Sequence, residues 1–290
     1  MAAASGHEQL RRLRAILLAQ LKHARRLLAA QRMASDRSIH EARKRVKRAR
    51  AIVRLLRDAV GESAYRRINL ALRDVNRRLR GPRDATVLRQ TLRSIGRRQP
   101  QLRRCGTLLE QSWRQHPAAA AGRRLPGGAV QSASARLARI ERVMGQAMRR
   151  SHARPSARAA MRDTYRKARA AFNWAQRRSC DSAWHECRKQ SKYLQYQLQL
   201  TGVHASAHAV ARARALAALL GEDHDLALLR GRLSGMRGAA ARAPRRALLS
   251  YIDHRRARLQ HKAITTGSRL FRHRARAFAD RLRPAASHGS

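Results

Sequence analysis

Residues 39–56 read IHEARKRVKRARAIVRLL. Ile39, Ala42, Val46, Ala49, Val53 and Leu56 step by three and four, the spacing of one face of an α-helix. One position further on, His40, Arg43, Lys47, Arg50 and Arg54 step in the same way. This second stripe is cationic. It lies about 100° round the helix from the apolar seam, at its border and not on the far face. Lys44 lies beside it. Border residues can lay their aliphatic stems on the core and keep their charged heads wet. Such pre-organised donors suit multidentate phosphate binding. The bland alternative is a solvated basic face, which any helix of so basic a chain carries.

A second stretch, residues 184–192, reads WHECRKQSK. At an offset of 145 it aligns His40 with His185, Glu41 with Glu186, Arg43 with Arg188, Lys44 with Lys189 and Lys47 with Lys192. The second stripe then continues through Gln195 and Gln199 where the first has arginines. Downstream, Asp84-x-x-x-Leu88-Arg89 echoes Asp225-x-x-x-Leu229-Arg230, with Gly81 and Gly221 shortly before each Asp. The chain contains seven lysines, and four of them are Lys44, Lys47, Lys189 and Lys192. A chain that uses Arg almost everywhere else keeps Lys at paired positions, which weighs against the bland reading. An internal duplication of a helical unit accounts for the pattern.

The same spacing recurs along the chain, at Leu10, Leu13, Leu17, Leu21, Ala24 and Leu28, at Tyr65, Ile68, Leu72, Val75 and Leu79, and at Met161, Tyr165, Ala168, Phe172 and Ala175. One narrow seam per helix is the pattern of a packed bundle. The fold expected is all-α, two similar antiparallel helical bundles related by a pseudo-two-fold. Gly61, Gly81-Pro82, Pro100, Gly202 and Gly221 are read as helix breaks. PAAAAGRRLPGG, residues 117–128, has the composition of a linker. The expected organisation is a flexible N-terminus 1–7, a first repeat 8–116, a linker 117–129, a second repeat 130–283 and a flexible tail 284–290.

The 290 residues carry 66 Lys and Arg against 17 Asp and Glu, a net charge of +49. Hydrophobic residues still make up 43%, enough to build a core, which separates this chain from a disordered basic tail. A compact state with this charge repels itself, and an abundant polyanion relieves it. Cys105, Cys180 and Cys187 form neither a metal signature nor an even disulfide set, so a reducing, cytoplasmic setting is expected. No apolar run reaches membrane-spanning length.

For His40 and His185 two readings stand: a half-core residue making a local hydrogen bond, or a phosphate donor whose charge rises beside an anion. A metal site is not expected, since no second ligand stands at ligand spacing. Glu41 is expected to pair with Arg45, and Glu186 with Lys189, along their helices. Asp84 and the run Glu222-Asp223-His224-Asp225 are read as caps of following helices, or second as partners that fix a stripe cation.

These motifs together resemble the CHAD family, the conserved histidine α-helical domain. His40, Arg43, Lys47, Arg48 and Arg50 look like its first His-x-x-Arg signature, and Arg83-Asp84-Ala-Thr-Val-Leu88 is similar to its Arg-Asp-x-Asp-Val-Leu element. His185, Arg188, Lys192 and Tyr196 resemble the second signature, and Leu220-Gly221-x-x-His224-Asp225 the Leu-Gly-x-x-Asn/His-Asp element. The sequence departs from the pattern at Thr86, Tyr193 and Gln195. The resemblance implies two similar helical bundles and binding of inorganic polyphosphate in a basic channel. The residues it implies are His40, Arg43, Lys44, Lys47, Arg48, Arg50, Arg54, His185, Arg188, Lys189, Lys192 and Tyr196. Some relatives localise to polyphosphate granules. No cofactor is implied and no enzymatic activity is carried over, because the Glu-x-Glu-x-Lys strands of the hydrolase partner domain are absent from this sequence.

Two other function classes compete. A nucleic-acid-binding, chromatin-like protein meets the same charge, but single-strand binders need aromatic platforms and the chain has eleven Phe, Tyr and Trp. An enzyme on phosphorylated substrates needs paired carboxylates or a base and a nucleophile, and acids cluster only at 222–225. Oligomeric state is not legible in the sequence.

Overall fold

The computed structural model describes residues 2–29, 35–79, 81–115, 128–149, 156–200, 207–236 and 242–282. Among them every regular element is helical: α1 (Ala2–Ala29), α2 (Asp36–Leu55), α3 (Arg57–Val60), α4 (Glu62–Arg78), α5 (Gly81–Arg98), α6 (Arg103–Gln115), α7 (Ala129–Arg149), α8 (Ala157–Arg178), α9 (Asp181–Leu200), α10 (Ala207–Ser234), α11 (Arg242–Leu270) and α12 (Ala275–Asp280). A 3₁₀ turn, Pro100–Leu102, joins α5 to α6.

Helix α2 begins where Ser35 accepts a hydrogen bond from the Ser38 amide at 3.1 Å, an N-cap of the usual kind. Its seam is buried throughout, from Ile39 at 4% exposure to Val53 and Leu56 at 0%. The burial is wider than a seam, because Ala51, Ile52 and Leu55 are covered as well. The second half of α2 is therefore covered over most of its surface by α1, α4, α8 and α9, with Lys47, Arg48, Arg50 and Arg54 left half-buried. At Gly61 a positive φ of 79° turns the chain from α3 into α4, a conformation that favours glycine.

Two apolar cores result. The larger joins α1, α2, α4, α7, α8 and α9 with the first half of α10 and the end of α11. The smaller joins Leu92 and Ile95 of α5, Leu109 of α6, Leu226, Leu229 and Leu233 of α10, and Leu248, Ile252 and Leu259 of α11. Both draw on residues before and after the expected linker, most of which lies outside the described residues. Helix α10 belongs to both, with Ala213, Leu216 and Leu220 in the first core and Leu226 onward in the second.

Several local expectations need correction. Residues 2–7, expected as a tail, continue α1, since Ala2, Ala3 and Ala4 have the highest helix propensity. Residue 129, assigned to the linker, opens α7. Gly221 does not break a helix but lies inside α10, where packing of both halves of that helix outweighs the modest propensity cost of one glycine. Asp84 lies within the first turn of α5, and the side chain that was expected to cap lies outside the described residues. Gly202 and residues 283–290 lie outside the described residues. Where α11 meets α8, Gly267 makes room for Phe172: a Cβ there would stand 2.2 Å from Phe172 Cε2.

Candidate functional site

A cleft of about 490 Å³ opens between the two cores, within the size range of ligand sites. Helix α2 supplies His40, Lys44 and Lys47, and α9 supplies Arg188, Lys192 and Tyr196. The opposite walls are α5, through Val87, Gln90, Thr91, Ser94 and Arg98, and α10, through Ala217, Ala218, Gly221, Glu222 and Asp225. Parts of the two stripes, 145 residues apart, thus converge on one space: His40 and Lys47 of the first with Arg188 and Lys192 of the second. The Thr86 hydroxyl donates to Asp36 Oδ2 at 3.1 Å and ties α5 to the first turn of α2, so this departure from the family pattern has a structural use.

Lys192 reports the electrostatics. Burial first, then the neighbouring charges of Arg188, Lys44 and Arg48, push its ammonium down to about 8, with Asp225 opposing. Its Nζ donates to Gln195 Oε1 at 3.1 Å and stands 5.8 Å from the Tyr196 ring centre; Arg48 approaches the same ring at 5.9 Å. Tyr196 thus gathers one cation from each signature helix. At the far wall Glu222 is occupied by Arg98 at 2.5 Å and Arg255 at 2.9 Å.

Of the twelve residues the sequence pointed to, six line the cleft: His40, Lys44, Lys47, Arg188, Lys192 and Tyr196. Arg48 stands beside it over Tyr196. The rest are placed differently. Arg43 is buried and donates to the carbonyl of Asn76 in the last turn of α4, a favourable place for a cation at a helix C-terminus. Arg54 lies 4.0 Å over the Tyr193 ring, and Arg50 shares that ring at 5.8 Å while donating to Asn69 Oδ1 at 3.2 Å. Tyr193, where the family often has Arg, is a stacking surface for arginines of the first half. His185 faces His224, Nδ1 to Nδ1 at 3.5 Å, and is not among the cleft residues. Lys189 is exposed and pairs with Glu186, as expected for Glu186. Glu41 pairs with Lys44 at 3.0 Å instead of Arg45; that bond holds its carboxyl below the usual range, and Arg45 reaches Gln20.

The run 222–225 does not cap a helix, because α10 passes straight through it. Its second reading, as a set of partners, is nearer: Asp225 lies close enough to the stripe residue Lys192 to favour its charged form, while Glu222 and Asp223 hold arginines outside the stripe. Buried Asp223 accepts from Arg256 Nε at 3.0 Å and Gln260 at 3.1 Å. Burial outweighs this pairing and pushes the Asp223 carboxyl up. Asp181 completes the group on Arg256 at 2.5 Å.

The α5 wall was missed. Thr91, Ser94 and Arg98 step by three and four, with Val87 one turn before Thr91 and Gln90 beside it, on a different face from Leu92 and Ile95, so the signal was a mostly polar stripe of the same period. Among the described residues no group of three or more His, Cys, Asp or Glu could hold a metal ion, and no helix is long and apolar enough to cross a membrane.

The CHAD domain family model matches residues 15–234. No curated protein matches the sequence. A similar solved structure is the crystal structure of the CHAD domain from the plant Ricinus communis, at 21% identity and a TM-score of 0.54, covering 94% of this chain and 92% of that one. At that identity the likeness speaks for the fold. With a family match over most of its length and an all-helical architecture shared with a solved relative, the chain belongs to the CHAD family, a family linked to polyphosphate binding.

Proposed function

We propose that this protein binds inorganic polyphosphate in the cleft between α2, α5, α9 and α10, without turning it over, in the cytoplasm and at polyphosphate granules. The observation that carries the reading is the convergence of Lys44 and Lys47 from one signature helix with Arg188 and Lys192 from the other. Burial first, and then the charges of Arg188 and Lys44, already disfavour the ammonium of Lys192 in the folded state. A chain of phosphates threaded between these cations offsets this. The family link to polyphosphate supports the choice of polyanion.

We also infer that α2 and α9 are duplicated counterparts related by an approximate two-fold. Each carries the His-x-x-Arg-x-x-x-Lys spacing, each ties the Lys directly after the signature Arg to the Glu three residues earlier, Glu41–Lys44 and Glu186–Lys189, and the two helices pack on each other.

The test is a calorimetric titration with long-chain polyphosphate at near-physiological salt, with duplex DNA as competitor. Replacing Lys47 and Lys192 together by Ala is expected to cost roughly 2–4 kcal/mol, each charge-assisted contact contributing about 1.5–2. Replacing exposed Arg162 and Arg166 on α8 removes the same charge and is expected to cost much less. Equal losses would reduce the cleft to bulk charge. Equal competition by DNA would favour a non-specific nucleic-acid binder. Phosphate release during the titration would show turnover.

A further inference from the structure

A second basic cavity, sharing no lining residue with the cleft, lies where the start of α10, the end of α11 and α12 meet. Its volume is about 420 Å³. Arg212, Arg269, Arg272 and Arg281 line it, with His208 and His273. Among the described residues, none that lines it is acidic. Asp280, next to Arg281 in the chain, is held by Arg158 at 2.6 Å.

Two of these arginines crowd together. Arg272 Nε stands 2.9 Å from His273 Nε2, and Arg281 NH1 stands 2.7 Å from the same nitrogen. Two guanidiniums therefore meet at one neutral acceptor, which supplies no countercharge of its own. Desolvation and both arginines push His273 below its ordinary range, so at neutral pH the ring serves as that acceptor. The frame is firm. The Tyr165 hydroxyl donates to the carbonyls of Leu270 and His273 at 3.1 and 3.0 Å, and its ring stacks on Phe278 at 4.0 Å. An anion placed between the arginines finds forked donors already positioned for phosphate oxygens.

The floor decides what kind of anion. Leu270, Phe278 and Leu282 line the cavity with apolar atoms. An inorganic phosphate chain has nothing to set against them, whereas a ligand with an apolar or aromatic moiety does.

We propose that this cavity binds an organic phosphate of mononucleotide size, its phosphates on the four arginines and its apolar part on the Leu270, Phe278 and Leu282 floor. The site is separate from the proposed polyphosphate cleft and does not depend on it.

The experiment is calorimetry of the full chain with ADP as probe, with tripolyphosphate as the inorganic comparison. Arg272 and Arg281 are exposed, so Arg272→Ala with Arg281→Ala leaves the core intact. This variant is expected to weaken ADP binding at least tenfold and to leave long-chain polyphosphate binding within twofold. Ala209→Trp, which fills the cavity without changing charge, is expected to do the same. The cleft variant, Lys47→Ala with Lys192→Ala, is expected to leave ADP within twofold. No ADP binding by the parent, unchanged binding in both cavity variants, or loss only in the cleft variant would each overturn the proposal. Tripolyphosphate displacing ADP at equal concentration would overturn its organic part.

Discussion

The charge on Lys192 depends on what fills the cleft. In the free protein its ammonium is held at about 8, chiefly by burial and then by Arg188, Lys44 and Arg48. A polyanion lying beside it favours the charged form and returns it toward the ordinary value of about 10.5. Binding above pH 8 then takes up a proton, and affinity falls as pH rises. For a free value of about 8 and a bound value near 10.5, the linkage gives roughly a tenfold loss between pH 7 and pH 9, or about 1.4 kcal/mol. Water reaches part of the side chain, and this screening lowers the expected loss to roughly five- to tenfold. Folding stability moves the other way. An unfolded lysine keeps its proton up to about 10.5 and the folded one loses it near 8, so between these values the unfolded state binds more protons and this group adds stability as pH rises. The assay is calorimetry of polyphosphate binding at pH 7, 8 and 9 in buffers of different ionisation enthalpy, which yields proton uptake directly. Lys192→Arg keeps the charge at every pH tested and is expected to remove most of the dependence. If parent and variant show the same proton uptake and the same slope, Lys192 is not the coupled group and the electrostatic account of the cleft is wrong.

Gly267→Ala is expected to lower stability by about 1–3 kcal/mol in urea denaturation, since the new methyl overlaps Phe172. Gly221→Ala meets nothing within 4 Å and is expected to raise stability by about 0.5–1 kcal/mol; a loss would contradict its mid-helix placement. Asp223→Ala strips the inner partner from buried Arg256 and is expected to cost about 2–4 kcal/mol, less than a fully orphaned charge because Asp181 remains; an unchanged urea midpoint would argue against the pair. His40→Ala removes a cleft residue and is expected to weaken polyphosphate binding about fivefold, one hydrogen bond's worth, while His185→Ala stays within twofold; equal losses would put both histidines at the ligand.

The apolar seam of α2 was legible because burial follows helical period, and all six of its residues are covered. The cationic stripe was legible only as an angle around one helix. Which element covers each part of that stripe is a long-range property. Arg43 sits where α4 ends and so turns to a backbone carbonyl, whereas Lys47, one turn on, reaches the cleft. Arg50 and Arg54 share the stripe's period, yet α9 brings Tyr193 over them first. Gly221 shows the reverse case, a local break signal overridden because the residues on both sides of it belong to packed cores. The α5 wall escaped notice because Gln90, Thr91 and Ser94 carry no charge, although Thr91, Ser94 and Arg98 keep the helical period.

Helix α10 is rooted in one core at Leu216 and Leu220 and in the other at Leu226 and Leu229, and between these anchors it forms a wall of the cleft. It acts as a beam clamped at both ends with the ligand space at mid-span. Narrowing that space requires the beam to bend or the clamps to rotate, so cleft width and the relative attitude of the two cores are a single mechanical variable. Any substitution that tilts one core, however far from a phosphate, re-sets the spacing of Lys47 and Lys192 from α10. Conversely, a chain bound as proposed and drawing the walls together would load both cores through the same helix, so the stability it conferred would extend to α6, which is not among the described cleft residues.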